Sequence, residues 1–356
     1  MKVALITDTH AGVRNDHPAF INNFKVGLDN VFFPYLKEHG IKRVIHLGDI
    51  ADRRKYCNIN TAYRLRKDFL DPMTEMGIEW DLIAGNHDEY YKNTNEVNFV
   101  SEFIDRKYPN CRVHLNATEV EIGGLPILFL PWICDANYDH SVSMIKSTKA
   151  QVAFGHLELP GFEMFRGAVS DHGLDRSLFD KFDIVCSGHF HHRSTDHTVH
   201  FIGAFGEYVW TDFNDPRGFT IFDTESREMD FIQNPYVMFH KVFYDDGDSG
   251  NSNNVLDFDP SYYSSKIVKV IVKNKTNPNL FDLFMSKMES AGAAEIQTVD
   301  DHLNLDKETD EHIVDEAEDT DVIMKNYIDS LKLTNIDKDK LQGVIEELYR
   351  EAKEVE

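Results

Sequence analysis

The sequence predicts an α/β fold, because apolar runs of strand length alternate with stretches of helical periodicity. Three of these runs are predicted strands, at residues 3–7, 42–47 and 78–84. The helices predicted between them span residues 20–39 and 59–76, where apolar side chains recur at near-helical spacing. Strand–helix–strand alternation with short connections is typical of layered α/β proteins. Ligands of such sheets collect at the carboxyl ends of the strands.

After residue 110 the pattern changes to shorter predicted strands with turn residues between them. We assign three strands to a second sheet, with a Gly-Gly hairpin turn, at residues 112–115, 119–122 and 126–130. Later strands are predicted at residues 151–154, 182–186, 200–205 and 219–223. One further helix is predicted at residues 95–108, with an apolar stripe formed by Val97, Val100, Ile104 and Tyr108.

Composition divides the chain into three predicted parts. An acidic stretch rich in Gly, Ser and Asn at residues 245–254 indicates a boundary after a first domain of residues 1–245. Residues 255–300 have the pattern of a small β-α-β unit. Residues 301–356 begin as an acidic run and continue as two amphipathic helices, at 321–331 and 337–354. These helices either pack on their own domain or bind a partner protein, and the sequence leaves both open.

Charge and cysteine content limit the classes of function. The net charge of −24 argues against broad electrostatic binding of nucleic acid. Residues 300–356 hold 19 acidic and 7 basic residues, which is half of that excess, so a nucleic-acid substrate remains open for the rest of the chain. The four cysteines are far apart, without zinc-finger spacing. With no apolar signal region and no run of about 18 apolar residues, we expect a cytoplasmic protein.

Polar side chains of metal-ligating types follow five of the predicted strands. They are Asp8, His10, Asp49, Asn86, His87, His156, His189 and His191. This is more than one ion can use, and it suits two divalent metals about 3.5–4 Å apart. Asp49 is the natural bridge, because a carboxylate can bind two ions with its two oxygens. Nitrogen and oxygen donors without thiolate favour Mn, Fe or Zn over Mg. Of the remaining histidines, His172 and His192 stay undecided.

The motifs around these residues resemble those of the calcineurin-like metallophosphoesterases. They read Asp-x-His at 8–10, Gly-Asp-x-x-Asp at 48–52, Gly-Asn-His-Asp at 85–88, Gly-His at 155–156 and Gly-His-x-His at 188–191. Leu-Pro-Trp at 130–132, Gly-His-x-Glu-Leu at 155–159 and Asn-Asp-Pro-Arg-Gly-Phe at 214–219 are similar to the phage branch of the SbcD-type DNA repair nucleases. The resemblance covers residues 1–240 strongly, and it implies a four-layer β-sandwich flanked by helices.

The resemblance also implies roles for the site residues. One metal ion would be held by Asp8, His10, Asp49 and His191. The other would be held by Asp49, Asn86, His156 and His189. His87 would not bind metal; it would stabilise the charge of the scissile phosphate and protonate the leaving oxygen. Mn²⁺ is the expected ion, with Mg²⁺ or others possible.

On the same basis the chain would be a DNA exonuclease and endonuclease in recombination and double-strand-break repair. Its partner would be an SMC-like coiled-coil ATPase bound by the C-terminal helices. The helix at 95–108 would form a homodimer, and residues 255–300 would be a capping domain. A phage-encoded chain would act in the host cytoplasm. The alternatives are a phosphoesterase for a phosphoprotein or small nucleotide, and a metal-stabilised scaffold without activity. The presence of His87 argues against the scaffold.

The second motif departs from the family pattern at one position. Many members of the family have histidine where this chain has Asp52, which could accept a hydrogen bond from Arg53 or from a ligand histidine. Asp88 is predicted to support the ligands in the same way.

The predicted DNA contacts, which lie in loops after the motif strands, are Arg14, Arg53, Arg54, Lys55 and Lys92. Solubilising surface residues are the competing interpretation for each of these five.

Overall fold

The fold is given by a computed structural model that describes residues 1–105, 107–247 and 256–300. Its strands, numbered in chain order, are β1 (Lys2–Ile6), β2 (Arg43–His46), β3 (Glu79–Ile83), β4 (Cys111–His114), β5 (Thr118–Ile122), β6 (Leu125–Leu130), β7 (Val152–His156), β8 (Glu163–Phe165), β9 (Ala168–Val169), β10 (Ile184–Gly188), β11 (Ser194–Asp196), β12 (Val199–Phe201), β13 (Gly218–Asp223), β14 (Met229–Gln233), β15 (Phe239–Asp245), β16 (Ile267–Asn274) and β17 (Glu295–Asp300).

Two six-stranded sheets form the centre of the fold. The first has the order β14-β13-β1-β2-β3-β4, in which β1 to β4 are parallel. The second has the order β11-β12-β10-β7-β6-β5, in which β6, β7, β10 and β12 are parallel. The assignment of residues 112–115 to the second sheet was wrong: β4 pairs with β3 in the first sheet. The chain therefore crosses from β3 to the parallel strand β4 within the first sheet, and it enters the second sheet only at β5.

The side chains of β1 show how the layers are built. Val3 and Leu5 belong to the apolar core between the two sheets. Ala4 and Ile6 point to the other face and pack under the helices of the first sheet. This alternation is the period of two of a strand that is buried on both faces. A third core lies on the outer face of the second sheet, where Ile145 of a helix packs. Helix, sheet, sheet and helix therefore make the expected four layers.

The longer helical segments are Pro18–Gly27, Leu28–Phe32, Phe33–Glu38, Ile59–Leu65, Arg66–Leu70, Asp71–Glu75, Phe99–Phe103, Tyr138–Ser147 and Pro278–Ser290. The helices predicted at 20–39 and 59–76 are confirmed, each with one π-helical turn inside it. Both π turns end two residues before a proline, Pro34 in one helix and Pro72 in the other. A proline ring clashes with the carbonyl four residues before it, and the wider π turn relieves that clash.

The helix predicted at 95–108 is much shorter than expected. Only Phe99–Phe103 is α-helical, and Asn98 caps it by accepting a hydrogen bond from the Ser101 amide at 2.8 Å. The residues before the cap are not helical, and Asn98 itself is extended and forms an isolated β-bridge with Glu89. Three residues of the predicted stripe are buried and the fourth, Val97, is 42% exposed. Most of the apolar stripe therefore packs in the core around a short helix.

A third sheet carries the C-terminal part of the described chain. Strands β15, β16 and β17 are all parallel, and helix Pro278–Ser290 packs on them. The strands and helix predicted after residue 265 are confirmed, and β15 adds a strand that was not predicted. The domain boundaries stay predictions. The tail helices at 321–331 and 337–354 lie outside the described residues. Among the residues described, no helix is both long and apolar enough for a membrane span.

We predict that Phe32→Ala lowers the free energy of unfolding by about 3–5 kcal/mol, because a buried aromatic ring leaves a cavity. Phe32 is fully buried in the π turn, where it contacts Phe69, Phe205 and Phe219. The control Phe243→Ala removes a ring that is 59% exposed and should cost less than about 1 kcal/mol. Urea unfolding followed by circular dichroism measures both. Equal losses would contradict this account of the core.

Candidate metal centre

The predicted site residues lie where parallel strands of the two sheets end. Asp8 and His10 follow β1, Asp49 follows β2, and Asn86 with His87 follow β3. In the second sheet, His156 ends β7, and His189 with His191 follow β10. The first loops are joined directly, because the Asp8 amide donates to the Gly48 carbonyl at 3.0 Å and the His10 amide to the Asp49 carbonyl at 3.1 Å. The fold therefore brings all eight predicted residues to one edge.

One group of possible ligands consists of Asp8, His10 and His191, whose ligand atoms lie within 4.8 Å of one another. The Nε2 atoms of the two histidines face each other at 3.0 Å, although the residues are 181 positions apart in the chain. Asp8 Oδ1 lies 3.9 Å from His10 Nε2. Two neutral imidazole nitrogens can face each other this closely only if a proton or a cation lies between them.

A second group is centred on the side-chain oxygen of Asn86. That atom lies 3.0 Å from His156 Nε2 and 3.0 Å from His189 Nδ1. His156 Nε2 also lies 3.2 Å from Asp49 Oδ2. Asp49, His156 and His189 have ligand atoms within 4.8 Å of one another. An amide oxygen, a carboxylate and two imidazoles thus converge on a small volume.

Asp49 lies between the two groups. Its Oδ2 atom is 3.2 Å from His156 Nε2 and 4.0 Å from His10 Nε2. Its Oδ1 atom accepts a hydrogen bond from the backbone amide of His87 at 2.9 Å. The single carboxylate therefore touches one residue of each ligand group and also fixes the backbone of His87.

The ring of His87 is held beside the first group. Its Nδ1 atom lies 2.5 Å from the carbonyl oxygen of Asp52, which can only accept, so Nδ1 carries the proton of the neutral ring. The ring centroid is 4.8 Å from that of His10, at an interplanar angle of 90°. A second proton would therefore bind at and leave from Nε2.

Backbone strain is concentrated in the same loops. Asp8, His10, Asp49 and His189 have φ values of 49°, 42°, 54° and 88°, in the left-handed region that non-glycine residues rarely adopt. Two glycines allow the loops to approach. A Cβ atom at Gly85 would collide with Asp49, and one at Gly188 would collide with Thr7 Oγ1. Strain of this kind persists at functional sites because the surrounding structure holds it.

Burial and mutual charge shift the pKa values of the site in opposite directions. Burial opposes ionisation of Asp49, but His156, His87 and His10 together hold its pKa well below the usual range. The pKa of His156 rises to about 9, because Asp49 outweighs the effect of burial. Burial raises the pKa of Asp8 and lowers that of His191. Divergent pKa values among neighbouring groups are typical of reactive centres.

The two predicted supporting carboxylates act on different parts of the site. Asp88 is fully buried, and it accepts hydrogen bonds from the backbone amides of Asp49 at 2.9 Å, Gly85 at 2.9 Å and Ala51 at 3.0 Å. It therefore holds the loop that carries Asp49 rather than a histidine ring. Asp52 Oδ1 lies 3.4 Å from His10 Nδ1, on the side of the ring away from His191.

The five predicted DNA-contacting residues are placed differently from one another. Arg53 is buried and forms an ion pair with Asp16, and it also donates to the Gly12 carbonyl at 3.2 Å. Arg54 donates to the carbonyls of Glu89 at 2.8 Å and Tyr91 at 2.9 Å, so it joins the two loops. The remaining three, Arg14, Lys55 and Lys92, are exposed. The structure thus does not present these five residues as one surface cluster.

Several residues of the site were not identified from the sequence. The ring of Trp132 lies 5.0 Å from that of His189, and the ring of Tyr208 lies 5.4 Å from that of His10. Trp132 stands in the Leu-Pro-Trp motif, which was a usable signal, whereas Tyr208 has no motif. Of the undecided histidines, His172 is exposed, and His192 hydrogen-bonds to Asp215 at 2.9 Å.

The donor set fits two divalent cations. It combines carboxylate, amide and imidazole groups without thiolate, which suits divalent ions such as Mn²⁺ and Zn²⁺. The facing Nε2 atoms and the convergence on Asn86 Oδ1 are arrangements in which lone pairs point at a common position. Asp49 faces both positions.

Comparisons with known proteins agree with this geometry. Residues 1–193 match the family model described as calcineurin-like phosphoesterase. The chain is 31% identical over 359 residues to exonuclease subunit 1 of Enterobacteria phage T4, and the match covers 99% of both chains.

Two solved structures are also similar in part. One is a novel archaeal phosphodiesterase (16% identity, TM-score 0.31, 65% of this chain and 99% of that chain). The other is GAP50, the anchor in the inner membrane complex of Plasmodium (11% identity, TM-score 0.40, 66% and 89%). Scores this low add nothing to the assignment, which depends on the two sequence matches. The chain belongs to the calcineurin-like phosphoesterases, a family of metal-dependent phosphoester hydrolases.

Proposed function

We propose that this chain is a two-metal DNA exonuclease and endonuclease that acts in recombination and double-strand-break repair. The observation that carries the proposal is the position of Asp49, between two ligand groups and bonded to the amide of His87. The T4 relative is named as an exonuclease subunit, which supports a nucleic-acid substrate over a phosphoprotein or small nucleotide. The low net charge outside residues 300–356 is compatible with this substrate.

In this proposal, Asp8, His10, Asp49 and His191 hold one ion, and Asp49, Asn86, His156 and His189 hold the other. Mn²⁺ is the proposed ion, because the donors mix nitrogen with oxygen. When bound, two such ions lower the pKa of a shared water and neutralise phosphate oxygens. The protein contributes the orientation of the ligands: Asp88 holds the loop of Asp49, and Asp52 approaches the Nδ1 atom of His10.

His87 is the proposed proton donor to the leaving oxygen. Its Nδ1 proton is committed to the Asp52 carbonyl, so a second proton would be held and released at Nε2. The amide of the same residue is bound to Asp49, which fixes the imidazole relative to the ions. The ring can therefore also stabilise the negative charge of the phosphate.

We predict that His87→Ala lowers the rate of cleavage of linear duplex DNA in Mn²⁺ by about 10²–10⁴-fold, the usual contribution of a general acid. The number of bound Mn²⁺ ions should not change, because His87 is not a proposed ligand. His172→Ala, which removes an exposed histidine, is the matched control and should cleave normally. Absence of DNA cleavage by the wild type, alone or with an ATPase partner, would refute the proposal. Hydrolysis of small phosphodiesters alone would support the second class of substrate.

DNA contact is proposed at the exposed lysines of the two loops that follow the metal motifs. Lys55 follows the Asp49 motif and Lys92 follows the His87 motif, and Arg54 joins the loops. Arg53 is assigned a different role, because its guanidinium is already paired with Asp16 inside the protein. Its replacement should destabilise the fold, since breaking a buried ion pair costs about 3–5 kcal/mol.

The double variant Lys55→Ala/Lys92→Ala should weaken DNA binding and flatten its dependence on salt. Each lost phosphate contact reduces the slope of log K against log salt by about 0.9. Lys149→Ala is the control, because it removes an exposed lysine near the start of β7, the end opposite His156. Fluorescence anisotropy at several salt concentrations measures the slopes. A slope equal to that of the wild type would exclude both lysines from the DNA interface.

Partner binding is assigned to the C-terminal residues. The two amphipathic helices predicted at 321–331 and 337–354 are proposed to bind an SMC-like coiled-coil ATPase. A homodimer through the region of residues 95–108 is also proposed, and the exposure of Val97 and Phe103, at 42% and 41%, is compatible with it. The cytoplasm, of the host if the chain is phage-encoded, is the proposed location.

Deleting residues 301–356 should abolish binding of the ATPase and its stimulation of cleavage. The metal site lies within residues 8–191, so the truncated chain should bind Mn²⁺ with unchanged stoichiometry. Co-purification with the ATPase and a metal titration are the two measurements. Retained ATPase binding would show that these residues pack on their own chain or serve another purpose.

A further inference from the structure

Tyr208 contacts two of the proposed metal ligands, although it lies outside every metal-binding motif. Its ring centroid is 5.4 Å from that of His10, at an interplanar angle of 68°, and 5.6 Å from that of His191, at 76°. These are edge-to-face contacts, the arrangement that aromatic rings prefer. His10 and His191 come from different sheets, and the ring of Tyr208 is a contact that both share.

The contact of Tyr208 with the two histidines is a packing contact of its ring. The residue is only 5% exposed. Within the part of the chain that the structure describes, its hydroxyl makes no hydrogen bond to either histidine. The contacts with the two histidines are made by the ring, so phenylalanine at this position would preserve them.

A buried ion-pair network fixes the backbone of Tyr208. Asp212 Oδ2 accepts hydrogen bonds from the amides of Tyr208 at 2.7 Å and Val209 at 3.1 Å. The other oxygen of Asp212 accepts from Arg217 Nη2 at 2.7 Å, and that nitrogen also lies 3.0 Å from Asp215 Oδ2. Arg217 and Asp215 belong to the Asn-Asp-Pro-Arg-Gly-Phe motif. This motif is therefore connected to the backbone of Tyr208 through Asp212.

The residue before Tyr208 is fixed to the third sheet. Glu207 is buried, and its Oε2 atom accepts hydrogen bonds from the amides of Met238 at 2.6 Å and Phe239 at 2.9 Å, where β15 begins. Tyr208 is thus fixed on both sides, by Glu207 and by Asp212. A ring held in this way restricts the rotation of any side chain that packs against it.

We propose that Tyr208 is a positioning residue, whose ring orients His10 and His191 so that their Nε2 atoms face one shared metal ion. The inference rests on the proposed function, because it takes both histidines as ligands. Groups behind metal ligands commonly orient them, and losing such a group weakens metal affinity by about 10- to 100-fold. Asp52 Oδ1 approaches the Nδ1 side of His10 at 3.4 Å, and Tyr208 packs against the rings of His10 and His191.

The test compares Mn²⁺ binding by three variants of the full-length protein, measured by isothermal titration calorimetry after metal removal. Tyr208→Leu should weaken binding at one of the two ions by about 10- to 100-fold. Tyr208→Phe should bind within about twofold of the wild type, because it keeps the ring. Trp210→Leu is the matched control: it removes a ring from the same segment that packs on Phe239, 4.8 Å away.

Thermal unfolding without metal separates positioning from general damage. Tyr208→Leu and Trp210→Leu should lose similar stability, while only Tyr208→Leu loses metal affinity. Equal loss of affinity in both variants would overturn the proposal, as would loss in Tyr208→Phe as large as that in Tyr208→Leu. The readout needs no substrate. A wild type that binds two Mn²⁺ ions without cutting DNA would therefore refute the proposed nuclease activity. The comparison of Mn²⁺ affinity among the Tyr208 variants would still test the positioning role.

Discussion

The position of the Asp49 carboxylate is the constraint on which the site depends. One oxygen lies near His156 and His10, which belong to different ligand groups, and the other binds the amide of His87. Asp49 can occupy this position for two reasons. The Asp88 carboxylate accepts a hydrogen bond from the Asp49 amide, and Gly85 has no Cβ atom that would collide with Asp49. A shift of this carboxylate would move it away from both ligand groups and from the backbone of His87, the proposed proton donor.

The architecture supplies this constraint through parallel strands. Strands β1, β2 and β3 of the first sheet, with β7 and β10 of the second, end at the same edge, so that residues far apart in sequence meet there. The loops pay a local cost, since left-handed backbone at a non-glycine residue costs about 1–3 kcal/mol. Hydrogen bonds between the loops, such as His10 to the Asp49 carbonyl, offset part of it.

Two sets of residues adjoin the candidate metal centre. Asp52 and His87 belong to the two loops in which Lys55 and Lys92 are exposed. Tyr208 lies against His10 and His191, and through Glu207 its segment is bonded to the start of β15. The proposed DNA contacts and the proposed support of His10 and His191 by Tyr208 therefore involve different residues.

Periodicity and short motifs are local properties, so the sequence by itself predicted most of the strands, the two long helices and the eight candidate site residues. It did not predict β8, β9, β11, β14 or β15. Only the tertiary structure decided which sheet received β4, since a strand's pattern does not specify its neighbour. It also ended the helix at Phe103, buried Arg53 against Asp16, and placed Tyr208 beside two histidines. These depend on contacts between distant residues, whose partners no local pattern identifies.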